Sequence, residues 1–344
     1  MSIFKKEEPE EIEEEIKPFC KVKDLNPQNK KSRKEPIKPW GKKERLTIFL
    51  TLFLTVAITG FLFLSSRSWK LPNFPRIEIS DFKLFKSETI SLGTVRNIEK
   101  EKEEEIVKYF KEATDKLTGT YSFYVVDINN GHEFGIRERN VMQAASLVKL
   151  PVFITLYQKV ESGEINIDEI YTLKSSDVRG GSGSLQYKKP GTKISYREMA
   201  KLMGKESDNT AFNIFRNVLG NEKIQKTIND IGMISTSLAD NETSAYDTSL
   251  LFKKLFQGEL VSKKYSDEIL GYLTDTIYED YIPKGITEVK VAHKFGREIN
   301  VTNDAGIIFS NNPFIVTILS EGIIYSEADT FIPEFSKFIF EKMK

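Results

Sequence analysis

From Leu46 to Leu64 the chain runs nineteen residues without a charge, although 29% of its 344 residues are Asp, Glu, Lys or Arg. As a helix rising 1.5 Å per residue, such a run nearly crosses the hydrocarbon layer of a bilayer. Lys38, Lys42, Lys43 and Arg45 crowd its amino end, against Arg67 and Lys70 beyond it. That bias is expected to keep the amino terminus cytoplasmic. The charged lead is too long for a signal peptide and no small-x-small cleavage site follows. We therefore read residues 46–66 as an uncleaved, single transmembrane helix, with the rest of the chain extracytoplasmic. A helix buried in a globular core is the alternative.

This division organises the flanks. Residues 1–45 carry an acidic block, Glu7 to Glu15, then a basic one, Lys21 to Arg45. They are poor in large apolar side chains, so a disordered cytoplasmic tail is expected. Its Cys20 is the only cysteine, so intramolecular disulfides are impossible. Residues 67–98, with Pro72 and Pro75, read as a stalk. Glu99 to Glu105 reads as the solvated start of a helix, whose Ile106, Phe110, Ala113 and Leu117 recur at helical spacing to pack on the domain that fills 99–344.

Apolar content of 40% suffices for a core in that domain, and formal net charge is +0. No basic stripe interleaved with aromatics is present, so no nucleic-acid partner is expected. The two histidines, His132 and His293, belong to no Cys/His cluster, so neither a metal nor a cofactor is expected. His132 reads as a surface strand residue beside a turn.

The domain begins with a strand-like run, Tyr121 to Val126. A hairpin signal, Asn130-Gly131, follows, and then a returning strand, His132 to Ile136. Ser146-Leu147-Val148-Lys149 leads into a long apolar run, Leu150 to Tyr157, with the composition of a buried helix ending near Ser162-Gly163. A mostly helical section continues to about Ile282. Strands return at Val289 to Phe295, Val301 to Phe309 and Phe314 to Leu319. An amphipathic helix carrying Phe335, Phe338, Ile339 and Met343 closes the chain. Strands at both ends with helices between predict an α+β domain: one antiparallel sheet, flanking helices and an inserted helical lobe.

Ser146 and Lys149 are three apart, so on a helix they share a face. A serine hydroxyl becomes nucleophilic when a neighbouring base takes its proton, and a neutral amine can do so. Burial or a nearby cation favours the neutral form of a lysine. The spacing alone is weak, because it recurs at Ser2/Lys5 and Ser80/Lys83.

Two further signals strengthen it: Ser207-Asp208-Asn209, between helical stretches Tyr196 to Met203 and Thr210 to Leu219, and Lys294-Phe295-Gly296 on a late strand. Ser-x-x-Lys, Ser-Asp-Asn and Lys-x-Gly in that order form a serine acyl-enzyme signature, with Ser146 and Ser207 sixty-one positions apart. From about residue 100 onward the chain resembles the class A β-lactamase and penicillin-binding protein superfamily of serine hydrolases. Gly180-Gly181-Ser182-Gly183, Pro190-Gly191 and Asn303-Asp304-Ala305-Gly306 agree with it.

The resemblance implies a class A β-lactamase-like fold acting on a β-lactam or a D-Ala-D-Ala-type cell-wall peptide. It implies Ser146 as nucleophile and Lys149 as its base. Ser207 would relay a proton to the leaving nitrogen; its other reading is a helix cap, a task Asp208 could take instead. Asn209 would contact substrate. Lys294 would hold the Ser207 hydroxyl, place charge near a substrate carboxylate and help keep Lys149 neutral. Gly296 would let a substrate backbone lie close, and the backbone N–H groups of Ser146 and Arg297 would form the oxyanion hole. His293, adjacent to Lys294 on a strand, is expected on the opposite face, in a structural role.

Two departures shape the expectation. Phe295 stands where the family carries a hydroxyl that binds the substrate carboxylate. Arg297 could substitute only if its strand bulges. The loop between Ile231-Gly232 and Thr243-Ser244 is short and lacks the family's deacylating glutamate; Asp240 and Glu242 are its only carboxylates, and both read as surface residues. A slowly deacylating D,D-peptidase, or a catalytically weak wall-peptide binding module, is therefore carried beside the β-lactamase reading. Pro151 predicts an irregular turn around Ser146.

Overall fold

The computed structural model describes residues 41–65 and 92–344, with side chains followed at 41–43, 46–59 and 99–344. The predicted tail through residue 40, Cys20 within it, residue 66 at the end of the predicted membrane helix, and residues 67–91 of the predicted stalk lie outside the described residues, while residues 92–98 of that stalk are helical. The chain divides into two units, Met1–Lys86 and Ser87–Lys344.

In the first unit, α1 (Lys42–Ser65) takes in the charge-free run. Leu46, Phe49, Leu52 and Phe53 are exposed along it, and the hydroxyls of Thr47, Thr51, Thr55 and Thr59 each donate to the carbonyl four residues back. Among the described residues no helix is long and apolar enough to cross a membrane. The run's last part, from residue 60, is not among the described side chains.

In the second unit, α2 (Leu92–Thr114) starts seven residues before Glu99 and ends before Leu117, so Leu117 packs from the following turn. β1 (Thr120–Asp127) and β2 (Glu133–Ile136) form the hairpin at Asn130-Gly131. β3 (Met142–Gln143) leads into a 3₁₀ turn, Ala145–Lys149, and then α3 (Leu150–Glu161). A small hairpin of β4 (Ile170–Thr172) and β5 (Lys193–Ser195), absent from the sequence expectation, precedes α4 (Tyr196–Lys205), α5 (Asn209–Leu219) and α6 (Asn221–Ile231). β6 (Glu242–Thr243) pairs with β3. After it come α7 (Ala245–Gln257), α8 (Lys263–Tyr272) and α9 (Ile282–Gly285). β7 (Val291–Glu298), β8 (Val301–Ile308), β9 (Phe314–Glu321) and α10 (Tyr325–Met343) complete the chain.

The main sheet is antiparallel with order β2-β1-β9-β8-β7, so first and last strands are neighbours and β7 is an edge. Alternation along β1 sends Phe123 and Val125 to a core shared with Ile106, Phe110, Phe335 and Ile339 of α2 and α10. Tyr124 and Val126 face the core of the helical lobe, with Phe153, Phe215 and Phe252. Burial of each such side chain contributes about 1.5–3 kcal/mol. Both faces being covered, β8 is buried along its whole length, and the cleft forms at the β7 edge.

Candidate active site

The chain reaches Ser146 through strained backbone. Ala145 has φ 49°, a left-handed conformation unfavourable for any residue with a Cβ. Asn303 of β8 clamps the approach, donating to the carbonyls of Gln143 (2.7 Å) and Ala144 (3.3 Å). Ser146 and Lys149 lie in the 3₁₀ turn rather than in the α-helix, and residues three apart nearly eclipse in such a turn. Pro151 falls in the first turn of α3, where its missing N–H costs nothing. The irregularity it predicts is this switch of helix type.

Lys149 is buried, and its Nζ donates to the Ser207 carbonyl (2.6 Å), Asn209 Oδ1 (2.7 Å) and Ser207 Oγ (3.0 Å). Lys294, also buried, donates to the same Ser207 Oγ (2.9 Å) and to the Phe295 carbonyl (2.8 Å). A hydroxyl accepting from two amines must point its own hydrogen elsewhere. Burial lowers the Lys149 pKa to about 7, against the opposing pull of Asp208 and Glu298. Burial, then the charge of Lys149, holds Lys294 well below its usual range. Two ammonium groups on one oxygen repel, so at most one of the pair carries a proton near neutrality. Desolvation of Lys149 itself is the first cause of its lowered pKa.

Ser207 has φ 53° and sits behind Asp208, which caps α5 by accepting from Ala211 N (2.8 Å) while its other oxygen accepts from Leu185 N (2.8 Å). The cap and the site serine are thus separate residues. Asn209 also donates to the Gly180 carbonyl (2.9 Å). A Cβ on Gly181 would lie 2.7 Å from Asn209 Nδ2, and one on Gly183 2.1 Å from Asp208 Oδ2. The glycine-rich turn closes on the Ser-Asp-Asn segment for that reason.

Across the cleft, a Cβ on Gly296 would stand 2.8 Å from Ser146 N, so only glycine lets β7 approach the serine's backbone. His293 N donates out of the sheet to the Leu273 carbonyl (2.8 Å). By the two-residue repeat, the N–H of Arg297 also points off the β7 edge. Pairing of β7 with β8 is unbroken from Val291↔Ile308 to Glu298↔Val301, so the strand does not bulge. Arg297 therefore shares a face with Phe295, not with Lys294. Its guanidinium is engaged, donating to Tyr281 OH (2.9 Å) and Asp329 Oδ1 (2.7 Å). Phe295 stacks on Tyr281 (4.3 Å between centroids) and Tyr278 (5.1 Å). His293 is fully buried on the face it shares with Phe295, opposite Lys294, with Nδ1 2.7 Å from Asp304 Oδ1; burial opposes its charge, but Asp304 and Glu279 outweigh that and raise its pKa to about 9.

Ser146, Ser207, Phe295 and Arg297 line one cleft of about 380 Å³ together with Ser182, Tyr278, Asp280 and Tyr281. The Ser146 hydroxyl makes no hydrogen bond among the described residues, as is common before substrate arrives. A larger hollow of about 560 Å³, at Asp275, Glu279 and Pro283 to Val291, shares none of these residues. The sequence reading missed Tyr278, Asp280, Tyr281 and Asp329, which follow no motif and reach the cleft through loop and helix packing. Asp240 and Glu242 are both exposed, as expected, and Asp240 accepts from Ser237 Oγ (2.6 Å). Among the described residues no group of three or more His, Cys, Asp or Glu could hold a metal ion.

Comparison with known proteins bears on the family and the fold. A family described as "Beta-lactamase enzyme family" matches residues 103–343. No curated protein sequence matches. Among solved structures, a β-lactamase from Sphaerobacter thermophilus superposes with TM-score 0.66 at 22% identity, covering 69% of this chain and 96% of that one. PBP-A superposes with TM-score 0.64 at 23% identity, over 71% and 95%. A PBP-A mutant solved as an acyl-enzyme complex with penicillin G gives 0.62 at 23%, over 72% and 96%. The fold is thus class A β-lactamase-like.

Proposed function

The chain belongs to the beta-lactamase enzyme family, and from that premise we propose that Ser146 is the nucleophile of a metal-free acyl-transfer hydrolysis. The observation that carries this is the convergence of Lys149 and Lys294 on the Ser207 hydroxyl, beside a cleft into which Ser146 opens. Neutral Lys149 keeps two N–H donors for the Ser207 and Asn209 oxygens. Its lone pair is then free to take the Ser146 proton, while Lys294 alone holds Ser207. Ser146 Oγ bonds to the substrate carbonyl carbon, and the oxyanion meets the N–H groups of Ser146 and Arg297. The Ser207 hydroxyl hands its proton to the leaving group as the scissile bond breaks, and is reprotonated from Lys149. Water then releases the acyl group.

The substrates we propose are β-lactams and D-Ala-D-Ala-type wall peptides. The acyl-enzyme of the PBP-A mutant with penicillin G supports the first. The exposed Asp240 and Glu242 favour slow release and a D,D-peptidase role, because neither is held against Ser146. The test is incubation of the detergent-solubilised chain with a chromogenic β-lactam, following colour and intact mass beside Ser146→Ala. Rapid turnover makes it a β-lactamase, and a long-lived adduct absent from Ser146→Ala makes it a penicillin-binding protein. The absence of any adduct, with β-lactam or wall peptide, leaves only a binding module and ends the enzymatic reading.

We also propose that α1 anchors the chain, with the tail cytoplasmic and the hydrolase extracytoplasmic. The charge-free run, its basic amino flank and the threonine hydroxyls satisfied within the helix support this. A membrane-impermeant maleimide should label Cys20 only in permeabilised cells. Equal labelling of intact cells excludes this orientation.

A further inference from the structure

We infer that, over the carboxylate-bearing β-lactams and D-Ala-D-Ala peptides proposed above, the cleft favours an acyl donor whose leaving group carries no carboxylate beside the scissile bond: an internal or amidated amide or ester, presenting an apolar face to the wall made by Phe295, Tyr281 and Tyr278. This rests on the acyl-transfer reading above and names the substrate class of that site.

Three features of the cleft carry it. The strand position after Lys294 offers a ring instead of a hydroxyl, and the ring is not loose. Phe295 is sandwiched in a stack with interplanar angles of 14° to Tyr281 and 27° to Tyr278. Such a wall gains from contact with an apolar or flat group and has nothing to give a carboxylate.

Of the lining residues only two are charged, Arg297 and Asp280. The Arg297 guanidinium is already bound to Asp329 (2.7 Å) and Tyr281 (2.9 Å), and it lies over the Tyr325 ring at 4.3 Å. The Arg297–Asp329 pair is neutral, whereas Asp280 is exposed and bonded to no cation among the described residues. A carboxylate entering there meets a net negative wall.

The third feature is Lys294, the remaining cation of the motif. It is 1% exposed, and it donates to Ser207 Oγ and the Phe295 carbonyl, both inside the protein. Burial disfavours its charge. It orders Ser207 and is not presented to substrate.

The reaction itself is unchanged. A bond forms between Ser146 Oγ and the acyl carbon, the bond from that carbon to the leaving nitrogen, oxygen or sulfur breaks, and the proton lost by Ser146 ends on the leaving atom.

The experiment uses the detergent-solubilised full chain and two thioesters of one N-acetyl-D-alanyl group. One has mercaptoacetate as leaving group, the other mercaptoacetamide, so they differ only in the carboxylate. We expect kcat/KM for the amide-terminated probe to exceed that for the carboxylate probe at least threefold. Phe295→Thr should shift the ratio at least threefold toward the carboxylate. Asp329→Asn, which removes the carboxylate that holds Arg297 and also accepts from the Tyr281 hydroxyl, should shift it the same way. A ratio below three in the unaltered chain overturns the inference, as does a ratio that neither variant moves. Loss of both activities, with no acyl adduct on Ser146 by mass, overturns the acyl-transfer reading and this one with it.

Discussion

Lys149 and Lys294 approach one oxygen, the Ser207 hydroxyl, to 3.0 and 2.9 Å from opposite sides of the interface between helical lobe and sheet. Neither amine reaches solvent, so their charge states follow from desolvation and from each other rather than from bulk pH alone.

The first prediction concerns pH. A Lys149 pKa lowered to about 7 means the base form grows in as pH rises through neutrality. The rate of acylation, measured as kcat/KM, should climb with a midpoint near pH 7. Lys149→Arg, which stays protonated, should lose about 10²-fold or more above pH 7, with the gap narrowing toward pH 5. A flat profile from pH 5 to 9 removes Lys149 from the base role.

Asp208 spends both carboxylate oxygens on backbone donors, Ala211 N and Leu185 N. An amide has one acceptor oxygen, so Asp208→Asn leaves one buried N–H facing an NH₂ group. The expected loss is about 1–3 kcal/mol, read as a fall in denaturant midpoint. Acylation should fall too, because Ser207 and Asn209 flank that turn.

Two glycines with positive φ separate strain from collision. Gly163 (φ 75°) has open space where a Cβ would stand, whereas Gly183 (φ 94°) has Asp208 Oδ2 at 2.1 Å. Gly163→Ala should cost only the backbone strain, about 1–2 kcal/mol. Gly183→Ala should cost clearly more and depress acylation, as thermal melts and burst kinetics would report.

His293, with its pKa raised to about 9 by Asp304 and Glu279, binds a proton in the fold that the unfolded chain, near 6.5, gives up earlier. Its stabilisation is complete below about pH 6.5 and fades as pH rises through 9. The span corresponds to something on the order of 3 kcal/mol. Buried Lys149, its pKa lowered to about 7, gains stability over the same range, so the His293 effect is read as a difference: the advantage of the native chain over His293→Asn in unfolding midpoint should shrink between pH 6.5 and 9.

If no carboxylate in the short loop activates the releasing water, Asp240→Asn and Glu242→Gln should each leave adduct lifetime unchanged within about twofold. A tenfold lengthening in either would assign it a deacylating role.

How much of this was legible beforehand can be read from particular residues. The strands around Phe123, Ile307 and Val316 and the helix through Phe335 follow from apolar patterning, because burial depends on side-chain chemistry that the chain states outright. Ser146, Lys149, Ser207 and Lys294 were found as ordered short motifs, since each local turn needs its own residues nearby. The 3₁₀ turn at Ala145–Lys149 was half visible through Pro151. The aromatic wall and the Arg297–Asp329 bond were not visible at all, because Phe295, Tyr278, Tyr281 and Asp329 are brought together by α9, β7 and α10 folding back on one another.

The chain by itself determined which chemistry is available: a serine, two lysines, a glycine-lined strand, and a charge-free run ahead of them. Tertiary structure alone decided how those groups are used, because desolvation and pairing depend on what surrounds a side chain. It buried one lysine so that its pKa falls to about 7, withdrew the other from the cleft, and tied the guanidinium beside Phe295 to an aspartate thirty-two residues away.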